Sequence, residues 1–178
     1  MKNMIKSLKL KNIYLFLLLL VFIVSGCVEP KIATDLLTTA SPNKQPLTNN
    51  SSIINVTINP KINNYEKLDE SVKESLEIAF ANANIFGADS SSAYRINSNI
   101  LIASQAPMSF GSFKGKLEIR YVVNEPNGKE ILDKTIFTVA GSDKFIFSGG
   151  ARHRRARAVN ISKNVLQFVD ILQNLLQK

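Results

Sequence analysis

Reactive groups in this chain of 178 residues concentrate at two places. The first is Cys27, the only cysteine, which follows directly on Val24-Ser25-Gly26. A thiol is the best nucleophile among neutral side chains, and small residues before it let the backbone lie extended in a peptidase. Those residue types suit a cysteine that accepts lipid and then becomes a new amino terminus. The second place is Arg152, His153, Arg154, Arg155 and Arg157. Guanidinium forks hold phosphate or carboxylate through paired hydrogen bonds, which suits an anionic lipid, a glycolipid or an acidic partner face. The alternative is a solvated patch that pairs internally with the acidic first helix.

Other chemistry is thinly supported. His153 is the only histidine, so neither a multi-histidine metal site nor a Ser-His-Asp triad can form without it. Within a run of arginines it reads as a surface residue rather than a base. Glu66, Asp69, Glu70, Glu74 and Glu77 supply carboxylates, but crowded on one helix they read as solubility and dipole matching. Ser142 and Gly141, Gly149 and Gly150 lack the Gly-Lys-Ser or Gly-Lys-Thr ending of a phosphate loop. The expectation is therefore no catalytic site, no metal and no cofactor. Met108, Phe110 and Phe113, with Phe145 and Phe147, are loop residues that either close the core or form a partner-binding patch.

The elements that position Cys27 are a leader. Lys2, Lys6, Lys9 and Lys11 precede an uncharged run from Asn12 to Cys27, almost wholly apolar from Ile13 to Val24. A spanning helix needs roughly 20 apolar residues, so the run is short for a permanent anchor and suits a signal peptide. With that placement, Val24-Ser25-Gly26-Cys27 resembles the lipobox of bacterial lipoproteins. The resemblance implies cleavage before Cys27, acyl chains on that residue and a stable membrane anchor, because two or more chains bind durably where one does not. Val28, where an aspartate would favour the inner membrane, implies the outer membrane, with the domain facing the periplasm.

Removing residues 1–26 lowers the net charge from +8 to +4, because eighteen basic residues then face fourteen acidic ones. Half of the basic excess is leader, and nothing reads as a nucleic-acid module. Lipidation of Cys27 would leave no thiol for a disulfide, so packing alone must hold the domain. Residues 27–50 are rich in Thr, Ser, Asn and Pro, with Pro30, Pro42 and Pro46 interrupting any pattern. They are expected to form a flexible tether reaching about 25–30 Å. Residues 51–178 then make one folded domain.

Within that domain Ile54, Val56 and Ile58 alternate with polar residues and predict a strand. Leu68, Val72, Leu76, Ala79, Phe80 and Ala83 mark one face of a helix, with Gly87 as its expected cap. Tyr94, Ile96, Ile100 and Ile102 predict a second strand, and Leu117, Ile119, Tyr121 and Val123 a third. Glu125-Pro126-Asn127-Gly128 then turns the chain into a hairpin, with a fourth strand from about Lys129 to Ala140 whose two faces, given the adjacent pairs Ile131-Leu132 and Ile136-Phe137, are both expected to be partly covered. A helix over about 151–176 carries Ala158, Ile161, Val165, Phe168, Val169, Leu172, Leu175 and Leu176 as its apolar stripe. The fold class is α+β, a two-layer sandwich of order β-α-β-β-β-α, with two helices on a four-stranded, mainly antiparallel sheet.

A lipid site at Cys27, that element order and a long C-terminal amphipathic helix resemble the small envelope accessory lipoproteins of Gram-negative bacteria, including the lipopolysaccharide-assembly lipoprotein family. The likeness is of layout, and the chain departs from that family by following Cys27 with Val28-Glu29-Pro30 rather than a Gly-Phe-rich strand. It implies a membrane-anchored, non-enzymatic accessory to assembly, transport or secretion that binds another envelope protein. The alternative is a lipid- or glycolipid-binding envelope module.

Overall fold

The computed structural model describes residues 31–38, 42–64, 66–105, 114–144, 146 and 149–178. Val24, Ser25, Gly26 and Cys27, together with Met108, Phe110, Phe113, Phe145 and Phe147, lie outside the described residues. The elements run β1 (Thr48–Ile58), α1 (Leu68–Ala83), β2 (Phe86–Gln105), β3 (Lys114–Asn124), β4 (Glu130–Gly141) and α2 (Gly149–Leu176). The sheet order is β1-β2-β3-β4, with both helices on one face. The expected α+β sandwich and its element order hold.

The sheet is mixed rather than mainly antiparallel, since β1 and β2 run parallel while β2, β3 and β4 form an antiparallel meander. The cause is α1. A helix between two neighbouring strands carries the chain back to the end from which it started, and the second strand must then run parallel to the first.

Alternation builds the core. Ile96 and Ile100 of β2, Leu117, Ile119, Tyr121 and Val123 of β3, and Ile136 of β4 point under the helices and are buried. They meet Leu68, Val72, Leu76, Ala79 and Phe80 of α1, and Ile161, Val165, Phe168, Val169 and Leu172 of α2. Tyr121 stacks on Phe168 with centroids 4.0 Å apart, and its hydroxyl donates to Asn164 Oδ1 at 2.8 Å. Burial pushes the Tyr121 pKa strongly upward, so the hydroxyl stays protonated as that donor.

Three local expectations are corrected. Gly87 does not cap α1: Asn84, in the left-handed conformation at φ 51°, ends the helix. Gly87 instead lies in β2 against β1, where a Cβ would collide with the Asn49 carbonyl oxygen. Ile102 is not inward, because an irregularity in the β2–β3 register between Ile100 and Ile102 turns it outward, 40% exposed beside Glu118. β4 is covered on one face only, since Ile136 is buried while Phe137 is 52% exposed. The hairpin forms where expected, with Gly128 at φ 90° and its N–H donating to the Glu125 carbonyl at 2.8 Å.

The largest departure concerns residues 27–50. Residues 31–38 lie on the domain instead of extending as a tether: Ile32, Ala33 and Leu37 are buried, and Asn82 Nδ2 donates to the Leu37 carbonyl at 2.8 Å. Further along, Asn43 Nδ2 donates to the Ala83 carbonyl at 2.8 Å, and β1 already begins at Thr48. A polar composition misleads here because a few apolar side chains, spaced to reach one groove, bury enough surface to order a short segment.

Candidate functional site

The arginine-rich start of α2 is drawn inward. Arg155 is only 2% exposed and is the centre of a three-residue clamp. Its Nε and Nη2 donate to the two carboxylate oxygens of Asp143 at 2.6 and 2.7 Å. Its Nη1 and Nη2 donate to those of Asp35 at 3.0 and 2.7 Å. Hydrogen bonding to Arg155 is the largest influence on both carboxyl groups and holds their pKa values below the ordinary aspartate range. A buried guanidinium requires such neutralisation. The clamp joins the segment before β1, the β4–α2 connection and α2.

Arg154 and Arg157 share another acid. Glu66 accepts from Arg154 Nε at 3.1 Å and from Arg157 Nη1 at 3.4 Å. Glu66 and Lys67 both have positive φ, 58° and 57°, a costly conformation for non-glycine residues. The α1 start is then completed by Asn64 Oδ1, which accepts the Leu68 N–H at 2.8 Å. His153 lies on the same helix turn as these arginines. Partial burial, and then the charges of Arg152 and Arg157, lower its pKa and favour the neutral imidazole.

Thus Arg154, Arg155 and Arg157 do gather in space; Glu66, which receives Arg154 and Arg157, is one of the acids with which internal pairing was the alternative expectation, whereas Asp35 and Asp143 were not selected for that purpose. Asp35 fell within the presumed tether and Asp143 within a loop. The available signal was Ile32, Leu36 and Leu37 flanking Asp35, an apolar cluster out of character with a solvated linker. Asp69, Glu70, Glu74 and Glu77 lie on α1 without converging on His153 in any interaction seen among the described residues. No group of three or more metal-ligating side chains occurs among the described residues.

Among the described residues, concavities flank the helices. Where α2 meets the ends of β2 and β3, a cleft of about 50 Å³ is lined by Leu68, Ser104, Leu117, Arg157, Asn160 and Ile161, among others. Asn160 is buried there; its Nδ2 donates to the Gly115 carbonyl at 2.9 Å, while its Oδ1 has no partner. A more open groove of about 530 Å³ runs between β1 and α1. No described helix is long and apolar enough to cross a membrane.

These features define a two-layer α+β domain, and its shape recurs among solved structures. No family model matches the chain, and no curated protein matches its sequence. The protein XCC0632 from Xanthomonas campestris, of family DUF330, is similar at 11% identity over 79% of this chain and 93% of that one, with a TM-score of 0.54. A second, described as an uncharacterized protein, is similar at 12% identity over 75% of this chain and 99% of that one, with a TM-score of 0.50. At such identities the likeness is of fold alone. A minor lipoprotein from Acinetobacter baumannii, 11% identical over 67% of this chain and 91% of its own, has a TM-score of 0.43 and is too distant in shape to speak to function.

Proposed function

We propose that the chain is a bacterial envelope lipoprotein, cut before Cys27 and anchored by lipid on that residue at the outer membrane facing the periplasm. Its domain acts as a non-enzymatic accessory to assembly, transport or secretion by binding another envelope protein. The observation that carries this reading is the order of basic run, apolar run and Val24-Ser25-Gly26-Cys27.

The structure alters what such an anchor implies. Lys31 is exposed and Ile32 is already buried, so only residues 28–30 separate Cys27 from the domain. Four residue steps span at most about 14 Å. A domain so closely leashed rides on the bilayer surface rather than searching above it, and its partner must be membrane-bound or reach the membrane. Protein binding is favoured over the lipid-binding alternative because the cleft where α2 meets the sheet holds only about 50 Å³, and the groove of about 530 Å³, although of ligand-pocket size, is an open trough lined by Lys73, Glu77 and Asn84 as well as by Ile54, Phe80 and Phe86 rather than an apolar enclosure.

The test compares the native protein with Cys27→Ser. The variant should lose metabolic lipid labelling and signal cleavage, and affinity isolation from membranes should recover an envelope protein with the native chain only. Intact processing of Cys27→Ser would overturn the anchor; a recovery of bound amphiphile without protein would overturn the accessory role.

A further inference from the structure

We infer that the outer edge of β1 is a docking site for an extended segment of a partner protein, which adds to the sheet as a fifth strand. The inference rests on the accessory reading above and names the surface that would serve it.

Among the described residues β1 is an edge strand paired only with β2, and from Ser51 to Ile58 that pairing is regular and parallel. In a parallel pair, the N–H and C=O of one residue point to the same side, and successive residues alternate. The Asn59 N–H donates to the Ile100 carbonyl at 3.0 Å, which places the backbone of Asn59 towards β2. By alternation Ile53, Asn55 and Thr57 also face β2. Ser52, Ile54, Val56 and Ile58 therefore turn their donors and acceptors outward, a row that only another extended backbone can satisfy in full.

The two sheet edges differ in how they discourage such pairing. β4 carries Glu130, Asp133 and Lys134, and charges on an edge strand oppose the approach of another strand. β1 has no charged residue from Thr48 to Ile58. Beside it lies the groove of about 530 Å³, with Ile54, Phe80 and Phe86 as apolar floor and Lys73, Glu77 and Asn84 at the rim. Phe80 and Phe86 meet edge to face at 5.1 Å, which presents a firm aromatic surface. An added strand would lay every second side chain there, so its residues on that side should be apolar and its others polar.

A second copy of this chain is a poorer occupant. α1 packs mainly over β1 rather than over β2. Paired β1 strands would sit about 4.8 Å apart, whereas two packed helices need about 8–10 Å. The two α1 helices would meet before the strands could pair along their length. A segment without a helix over it meets no such obstacle.

The test uses the lipidated protein in detergent and a capped peptide alternating Val or Ile with Thr, with Lys at each end. Binding should slow amide exchange at Ser52, Ile54, Val56 and Ile58 and leave β4 unchanged. N-methylation of alternate peptide amides, on the edge that faces β1, should weaken binding about tenfold or more, since each lost hydrogen bond contributes about 1 kcal/mol. Val56→Pro removes an outward N–H without removing a bond to β2, and should weaken binding comparably if the fold persists. The N-methylated peptide keeps the test independent of that variant's folding. Absence of binding, equal affinity for the methylated peptide, or protection along β4 would overturn the inference. So would a dimer of the protein alone in which those four amides are already protected. Failure here with Cys27-dependent recovery of an envelope protein would remove the β1 edge only; loss of that recovery, with peptide binding intact, would remove the accessory reading.

Discussion

Replacing both acids that hold Arg155 should destabilise the domain more than replacing the arginine itself. Asp35→Asn with Asp143→Asn removes both carboxylates that clamp a guanidinium only 2% exposed. Taking the acidic partners from a buried charge in this way costs about 3–5 kcal/mol. Arg155→Met keeps much of the packing stem and leaves no buried charge, while the two acids, 58% and 35% exposed, remain in contact with water. Its cost should be about 1–3 kcal/mol, because the four charge-assisted hydrogen bonds are offset in part by the desolvation that no longer has to be met. Asp35→Asn alone should cost about 1 kcal/mol, since solvent screens so exposed a partner and Asp143 is retained. Urea denaturation of the four proteins measures the differences through midpoints at constant slope. A loss for Arg155→Met equal to or above that of the double variant would refute the reasoning, because the buried charge would then carry no penalty of its own. The same acids predict a pH dependence. Their folded pKa values lie below the unfolded value of about 3.9, so their contribution is complete above that pH and is lost as pH falls through the folded values. Asp69, Asp89 and Asp133 are also lowered, so the difference between native and double-variant titrations below about pH 4 isolates the clamp.

Three further changes test separate parts of the structure. Leu37→Ala should cost about 2–5 kcal/mol in chemical denaturation, as for a fully buried leucine; a change near zero would return residues 31–38 to the role of a tether. Tyr121→Phe should cost about 1–3 kcal/mol by leaving Asn164 Oδ1 buried without its donor, and an unchanged melting temperature would show that the bond contributes nothing net. Gly87→Ala drives a Cβ against the Asn49 carbonyl and should lower stability by about 1–3 kcal/mol, with faster amide exchange at the start of β1; a neutral result would mean that the two strands separate there without cost.

The amino-acid order by itself determined the elements and their faces. Strict alternation at Leu117, Ile119, Tyr121 and Val123, and the three- and four-residue steps of α1 and α2, are local patterns that report burial directly, because side chains of one element share a face whatever lies opposite. The Asn127-Gly128 turn was legible for a related reason, since it needs a left-handed residue within four positions. The basic run, the apolar run and Val24-Ser25-Gly26-Cys27, on which the proposed leader and anchor rest, are likewise contiguous in sequence. Tertiary structure decided what depends on partners distant in sequence. The parallel β1–β2 pairing, the close approach that requires Gly87, and the outward turn of Ile102 all depend on register between strands, which no single strand encodes. The arginine run looked like a solvent-facing patch because its acids lie 120 positions before and 12 positions before Arg155. A charge has no neighbours in a sequence beyond those adjacent to it, and only folding showed that Arg155 is enclosed by Asp35 and Asp143 while Glu66 receives Arg154 and Arg157.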